Sequence, residues 1–162
     1  MAQEHGESAG QRLEVIREYA VAPWEDRIRV LCDLDDDQAA ELVAKAQGIV
    51  VATSSSERRG VVGMGGCVRD TRVNNEQEAL ASYSITLGPR EDQNPYVAEL
   101  EAIATALRCM PARLEQRELV FVTSNRSAMQ AIGQPRQQSG QYIIKKFTSM
   151  SGSSGNGVFR FV

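Results

Sequence analysis

Residues 94–108 read NPYVAELEAIATALR and predict the helix against which the rest of the chain packs. Asn94 is a good N-cap, and Pro95 suits the first helical position, where a missing N–H costs nothing. Apolar side chains then recur at helical spacing and form one stripe, at Val97, Leu100, Ala104 and Leu107. Glu99 lies beside this stripe, and a long acidic side chain is seldom buried without a partner. Glu99 is therefore a candidate site residue, the alternative being an ordinary solvated glutamate.

Length and composition indicate a soluble globular protein of one domain. The chain has 162 residues, of which 42% are hydrophobic and 24% are charged. Its cysteines, Cys32, Cys67 and Cys109, are odd in number, far apart and without a CxxC pair. This pattern argues against a disulfide framework or a zinc site and favours an intracellular, reducing setting. No apolar run approaches the ~18 residues that a membrane span requires.

The charge is distributed unevenly along the chain. Residues 1–50 carry 11 acidic and 5 basic side chains, whereas residues 51–162 carry 10 acidic and 13 basic ones. From residue 126 onward the sequence has cations and no acid, with Arg126, Lys145 and Lys146 among them. A cationic C-terminal half can support phosphate contacts, although a mildly basic face without a partner explains it equally well.

Hydrophobic patterning predicts alternating strands and helices after a polar start. Five strands are predicted, at residues 48–53, 61–68, 79–87, 118–123 and 158–162. Five helices are predicted, at residues 12–19, 38–47, 94–108, 125–132 and 139–150. The polar stretch 54–60 is interpreted as a turn. Together these elements predict an α/β fold with a mixed five-stranded sheet, made of a three-strand antiparallel meander plus parallel strands, flanked by helices.

Three regions are expected along the chain. Residues 1–11 lack periodicity and are expected to be a disordered tail. Residues 12–47 are expected to be a linker whose short helices pack on the body, with an extended piece near residues 27–31. Residues 48–162 are expected to form the main domain, with its first strand parallel to the strand that follows the central helix.

Five short motifs occur in a familiar order: Thr53-Ser54-Ser55-Ser56, Val62-Gly63-Met64-Gly65-Gly66, Tyr96-Val97-Ala98-Glu99-Leu100, Thr123-Ser124-Asn125 and Ser139-Gly140-Gln141-Tyr142-Ile143. Through them the chain resembles the ribonuclease H domain of reverse transcriptases. More narrowly, it resembles the version of that domain in fungal non-LTR (LINE-like) retrotransposon polyproteins. The resemblance spans about residues 12–162 and implies a ribonuclease H-like fold.

The resemblance also implies a catalytic set of four acids, which this sequence matches only in part. Glu99 is the one acid retained. Ser54 and Ser124 stand where the family has aspartates, and the family's final helix with its last acid is expected to lie beyond Val162. Glu101 is not expected to compensate for the missing aspartates, because it points about 200° away from Glu99 around the helix.

Ribonuclease H chemistry uses two Mg²⁺ ions held by carboxylates, and neutral hydroxyls are poor ligands for them. The sequence therefore predicts a catalytically inactive domain with no metal and no cofactor. The alternative is a ribonuclease for RNA–DNA hybrids whose acids were replaced, and only such a parent would need Mg²⁺.

Two kinds of partner are expected. An RNA–DNA hybrid or another nucleic acid could be bound through Asn125, Arg126, Lys145 and Lys146. A protein could instead cover an open apolar flank near residues 158–162.

Overall fold

A computed structural model describes residues 15–18, 21–22, 28–72, 79–110, 118–153 and 159–161. In chain order the elements are β1 (Arg29–Val30), α1 (Asp36–Ala44), β2 (Gly48–Arg58), β3 (Val61–Asp70), β4 (Ala81–Pro89), α2 (Pro95–Arg108), β5 (Glu118–Thr123), α3 (Arg126–Gly133), α4 (Gln141–Ser153) and β6 (Phe159–Phe161). The α/β class is confirmed, and a strand lies at each of the five predicted positions. The predicted tail at residues 1–11 lies outside the described residues. Among the helices described, none is long and apolar enough to cross a membrane.

The described strands form one mixed sheet in the order β1-β6-β5-β2-β3-β4. As predicted, β2, β3 and β4 make an antiparallel meander, and β5 runs parallel to β2. The predicted number of five strands is wrong, because the short piece Arg29–Val30 pairs in parallel with β6. This pairing satisfies backbone groups that β6 would otherwise present as a sheet edge. This edge of β6 is therefore paired within the chain itself, and a protein partner near residues 158–162 stays a prediction.

The alternation of side chains along β2 and β5 sorts them onto two faces of the sheet. On one face, Ile49, Val51 and Phe121 join the main core beneath α2, α3 and α4. On the other face, Val50 and Val120 pack against α1. Helices therefore cover both faces of the central strands.

Strand β2 is longer than its composition predicts, and the predicted turn at residues 54–60 is wrong. The strand continues to Arg58 and pairs with β3 residue by residue. The turn itself is only Arg59 and Gly60, whose φ angles are 54° and 74°. A two-residue turn with both φ angles positive matches the twist of the flanking strands. The serines of β2 are strand residues because they pair with the glycine-rich β3.

Buried Gln141, the first residue of α4, holds Arg17 by hydrogen bonds. Residues 15–18 are not helical, so the helix predicted at residues 12–19 is wrong where the structure describes it. Gln141, only 2% exposed, accepts a hydrogen bond from the Arg17 N–H and donates one to the Arg17 carbonyl, both at 2.8 Å. Its Nε2 also donates to the Arg136 carbonyl at 2.8 Å. These bonds give Arg17 tertiary partners in place of helical ones.

Candidate functional site

Helix α2 brings Glu99 to the centre of the sheet. The Asn94 side chain accepts a hydrogen bond from the Tyr96 N–H at 2.9 Å, which confirms the predicted N-cap. The Ser55 hydroxyl donates to the Pro95 carbonyl at 3.0 Å and ties the first turn of the helix to β2. The next turn then places Glu99 against the strands, where its side chain is 1% exposed. The interpretation of Glu99 as a solvated glutamate is therefore wrong.

Two threonines hold the Glu99 carboxylate. The hydroxyls of Thr53 and Thr123 each donate to Glu99 Oε1 at 2.6 Å. Thr53 and Thr123 are register partners in the parallel β2–β5 pair, so one carboxylate oxygen bridges the two strands. The two hydroxyls supply the hydrogen-bond partners that a buried carboxyl group requires. The three side chains form a buried cluster, which we call the threonine–glutamate cluster, and the Thr123 hydroxyl also accepts from the Asn125 N–H at 3.1 Å.

Sequence reasoning placed both threonines at strand ends and did not assign them to a site. The signal that finds them is the alternation of side chains along the two strands. Thr53 follows Ile49 and Val51 on the same face of β2, and Thr123 follows Leu119 and Phe121 on β5. Both hydroxyls therefore point toward the helix that carries Glu99.

Neither Ser54 nor Ser124 belongs to this cluster. Both side chains are exposed. Ser54 follows Thr53 along β2 and therefore projects from the opposite face of the sheet. Ser124 comes directly after the end of β5 and before the cap of α3. Among the described hydrogen bonds, none joins either serine to Glu99.

The residues predicted to contact nucleic acid are divided among different local roles. Asn125 caps α3, since its side chain accepts from the Ala128 N–H at 3.0 Å. Arg126 lies 3.6 Å from Asp33, and both side chains are exposed, so this ion pair contributes little. Lys145 and Lys146 are exposed on α4. The structure thus leaves Arg126, Lys145 and Lys146 as solvent-facing cations, while Asn125 caps the helix.

The other acids near α2 and β2 are engaged elsewhere. Glu57 pairs with Arg90 at 2.6 Å, and Glu101 accepts a hydrogen bond from the Tyr142 hydroxyl. Asp70 accepts from the Arg72 N–H at 3.0 Å. Within the part of the chain that the structure describes, no three His, Cys, Asp or Glu side chains come together as a metal site.

Tyr83 of β4 borders the same buried region. Its hydroxyl donates to the Ala102 carbonyl in α2. Burial, with smaller contributions from the neighbouring Cys109 and Glu99, raises the pKa of Tyr83 to about 12. Its ring passes directly over Gly66, where an added Cβ would lie 2.2 Å from the Tyr83 hydroxyl oxygen. Glycine at position 66 therefore permits the contact between β4 and α2.

Comparison with solved structures identifies the fold. The LC11 ribonuclease H1, isolated from compost by a metagenomic approach, superposes with a TM-score of 0.51 at 19% identity, over 72% of this chain and 84% of that one. The N-terminal ribonuclease H domain of a Mycobacterium tuberculosis protein, solved as a fusion with maltose-binding protein, gives 0.50 at 17%, over 70% and 81%. LC11 ribonuclease H1 in complex with an RNA/DNA hybrid gives 0.48 at 18%, over 70% and 84%. No protein-family model and no curated protein matches the sequence. The chain has a ribonuclease H-like fold.

Proposed function

We propose that this chain is a non-cleaving ribonuclease H-like module that binds nucleic acid. The observation that carries the proposal is the threonine–glutamate cluster. The one acid that matches the family pattern is buried and is bonded by Thr53 and Thr123 at 2.6 Å. A carboxylate used in this way stabilises the sheet and the helix that carries it.

The chemistry of hybrid cleavage supports the first half of the proposal. Two divalent ions about 3.5–4 Å apart must be held by several anionic oxygens, so that one activates water and the other stabilises the leaving oxygen. Serine hydroxyls are neutral, and Mg²⁺ gives up its water reluctantly. Ser54 and Ser124 therefore cannot replace two aspartates. We expect no metal to be required for the function of this module.

The distribution of cations supports the second half. Lys145 and Lys146 are exposed on α4, and Arg126 is exposed at the start of α3. The sequence contains no acid from residue 126 onward, so phosphate groups would meet little repulsion from this part of the chain. An RNA–DNA hybrid is the nucleic acid to test first, because the superposed structures are those of ribonucleases H. The motif resemblance supports an origin of the module in a retrotransposon polyprotein.

The proposal is tested by the affinity for a fluorescently labelled RNA–DNA hybrid at several salt concentrations. We expect the affinity to fall as salt rises, because bound lysines release counterions from the phosphates. Replacing both lysines, K145A together with K146A, should weaken binding and reduce the salt slope by about 1–2. The matched control is K45A, which removes an exposed lysine that pairs with Glu41 on α1.

An affinity for the hybrid that changes neither with salt nor in the double lysine variant would contradict nucleic-acid recognition through α4. An absence of hybrid binding, together with an oligomer or a protein complex in solution, would favour a protein-interaction module instead.

A further inference from the structure

A cleft separate from the threonine–glutamate cluster opens between β1, α3 and the loop that joins α3 to α4. Its volume is about 880 Å³, within the range of small-molecule sites. Tyr96 at the start of α2 forms part of its wall. Glu99, Ser54 and Ser124 do not line it, so the cleft has no part in the family's catalytic pattern.

The cleft combines an apolar floor with a wall of amides. Ile28 and Met129, 8% and 5% exposed, belong to the floor, and Val30 lies beside them. The polar side chains of the lining include three glutamines and one arginine, at Gln130, Gln134, Gln138 and Arg136. No acid and no lysine lines it among the described residues. This lining suits a flat ligand with an uncharged hydrogen-bonding edge.

Gln138 has unused hydrogen-bonding capacity beside the cleft. Its Oε1 accepts from the Arg136 N–H at 2.6 Å, which fixes the amide with the oxygen toward the loop backbone. Its Nε2 is buried and has no partner among the described residues. Buried donors are nearly always bonded in native proteins, because an unbonded one gives up its hydration. The nitrogen is shielded from solvent, so a ligand acceptor in the cleft would satisfy this donor once the Gln138 side chain turns toward it.

We propose that this cleft accepts a nucleobase from a single-stranded nucleic acid. The inference rests on the proposed function and names the part of the nucleic acid that is recognised. Glutamine amides and arginine bond the edges of bases, and aromatic side chains such as Tyr96 stack on base planes. Arg136, exposed at the rim, is placed to contact the adjoining phosphate.

The test compares a short labelled single-stranded oligonucleotide with an abasic strand of the same length and charge. We expect the strand with bases to bind about tenfold more tightly than the abasic one. Q138L should weaken binding of the strand with bases about fivefold and leave the abasic strand unchanged. The variant A131W, which fills the cleft from α3, should abolish the preference for bases. The matched control Q137L changes the exposed neighbouring glutamine, which does not line the cleft, and should have no effect.

The outcomes separate the two proposals. Equal affinity for both strands, unchanged by Q138L and A131W, would overturn the nucleobase site and leave phosphate binding by the module intact. A loss of preference in Q137L as large as that in Q138L would also overturn it. If neither strand binds and the hybrid does not bind, both proposals fall.

Discussion

Neighbouring residues of β2 lie in opposite environments, Thr53 in the core and Ser54 in solvent. Both are small hydroxyl side chains, and their difference comes only from the alternation of the strand. Thr53 meets Glu99 beneath α2, together with Thr123 from the neighbouring strand. Ser54 lies on the other face, where no described hydrogen bond reaches it from Glu99. The comparison indicates that the buried face carries stability, while the serine positions contribute little to it.

The largest effect is expected from Glu99→Ala. It leaves a cavity in the core and removes the acceptor of two buried hydroxyls. The free energy of unfolding should fall by about 3 kcal/mol in urea denaturation. Glu99→Gln should lose less, since its carbonyl oxygen can still accept both hydroxyls. The control Glu101→Ala, two residues away and partly exposed, should stay within about 0.5–1 kcal/mol of the parent.

The second effect sharpens the comparison between the two faces. Thr53→Val and Thr123→Val keep the side-chain shape and remove one donor each, and Thr123→Val also removes the acceptor of the Asn125 N–H. Each should cost about 1.5–3 kcal/mol, with Thr123→Val the larger. Because both hydroxyls bond the same oxygen, the double variant should depart from additivity. Ser54→Ala and Ser124→Ala are the matched controls and should change stability by no more than about 0.5 kcal/mol. Equal losses at the serines and the threonines would break the distinction between the faces.

The smallest effect concerns pH and the Tyr83 phenol. The pKa of Tyr83 is about 12 in the folded chain and 10.0 ordinarily, so folding favours the protonated phenol. Its contribution to stability is complete below pH 10 and is lost as pH rises through about 12. Unfolding measured at about pH 9 and about pH 11 should show this loss in the parent. In Tyr83→Phe the loss between these two pH values should be smaller; an identical loss would contradict the assignment.

Much of the fold follows from local pattern. The cap at Asn94 and the apolar stripe define α2, and continuous apolar runs define β2 and β5. The extended piece predicted near residues 27–31 contains β1, but its place in the sheet is set by pairing with β6, which the local pattern does not show. The position of the turn at Arg59 and Gly60 is not predictable from the sequence, because serines and glycines are as typical of a loop as of a paired hairpin.

The site was predictable only at Glu99. Its position beside the apolar stripe indicated a buried acid in need of partners. Those partners, Thr53 and Thr123, lie 46 and 24 residues away in sequence, and only the register of β2 and β5 brings them together. The clamp of Gln141 on Arg17 spans 124 residues and has no local signal. Long-range pairing of this kind is decided by packing, which a single sequence does not display.

The most direct test of the account is cleavage of a labelled RNA–DNA hybrid in Mg²⁺ and in Mn²⁺, by the parent chain and by Glu99→Gln. We expect no cleavage by either protein, because Glu99 is held by two threonines and serines occupy positions 54 and 124. Metal-dependent cleavage by the parent that disappears in Glu99→Gln would contradict it. That result would make Glu99 a metal ligand and the chain a ribonuclease.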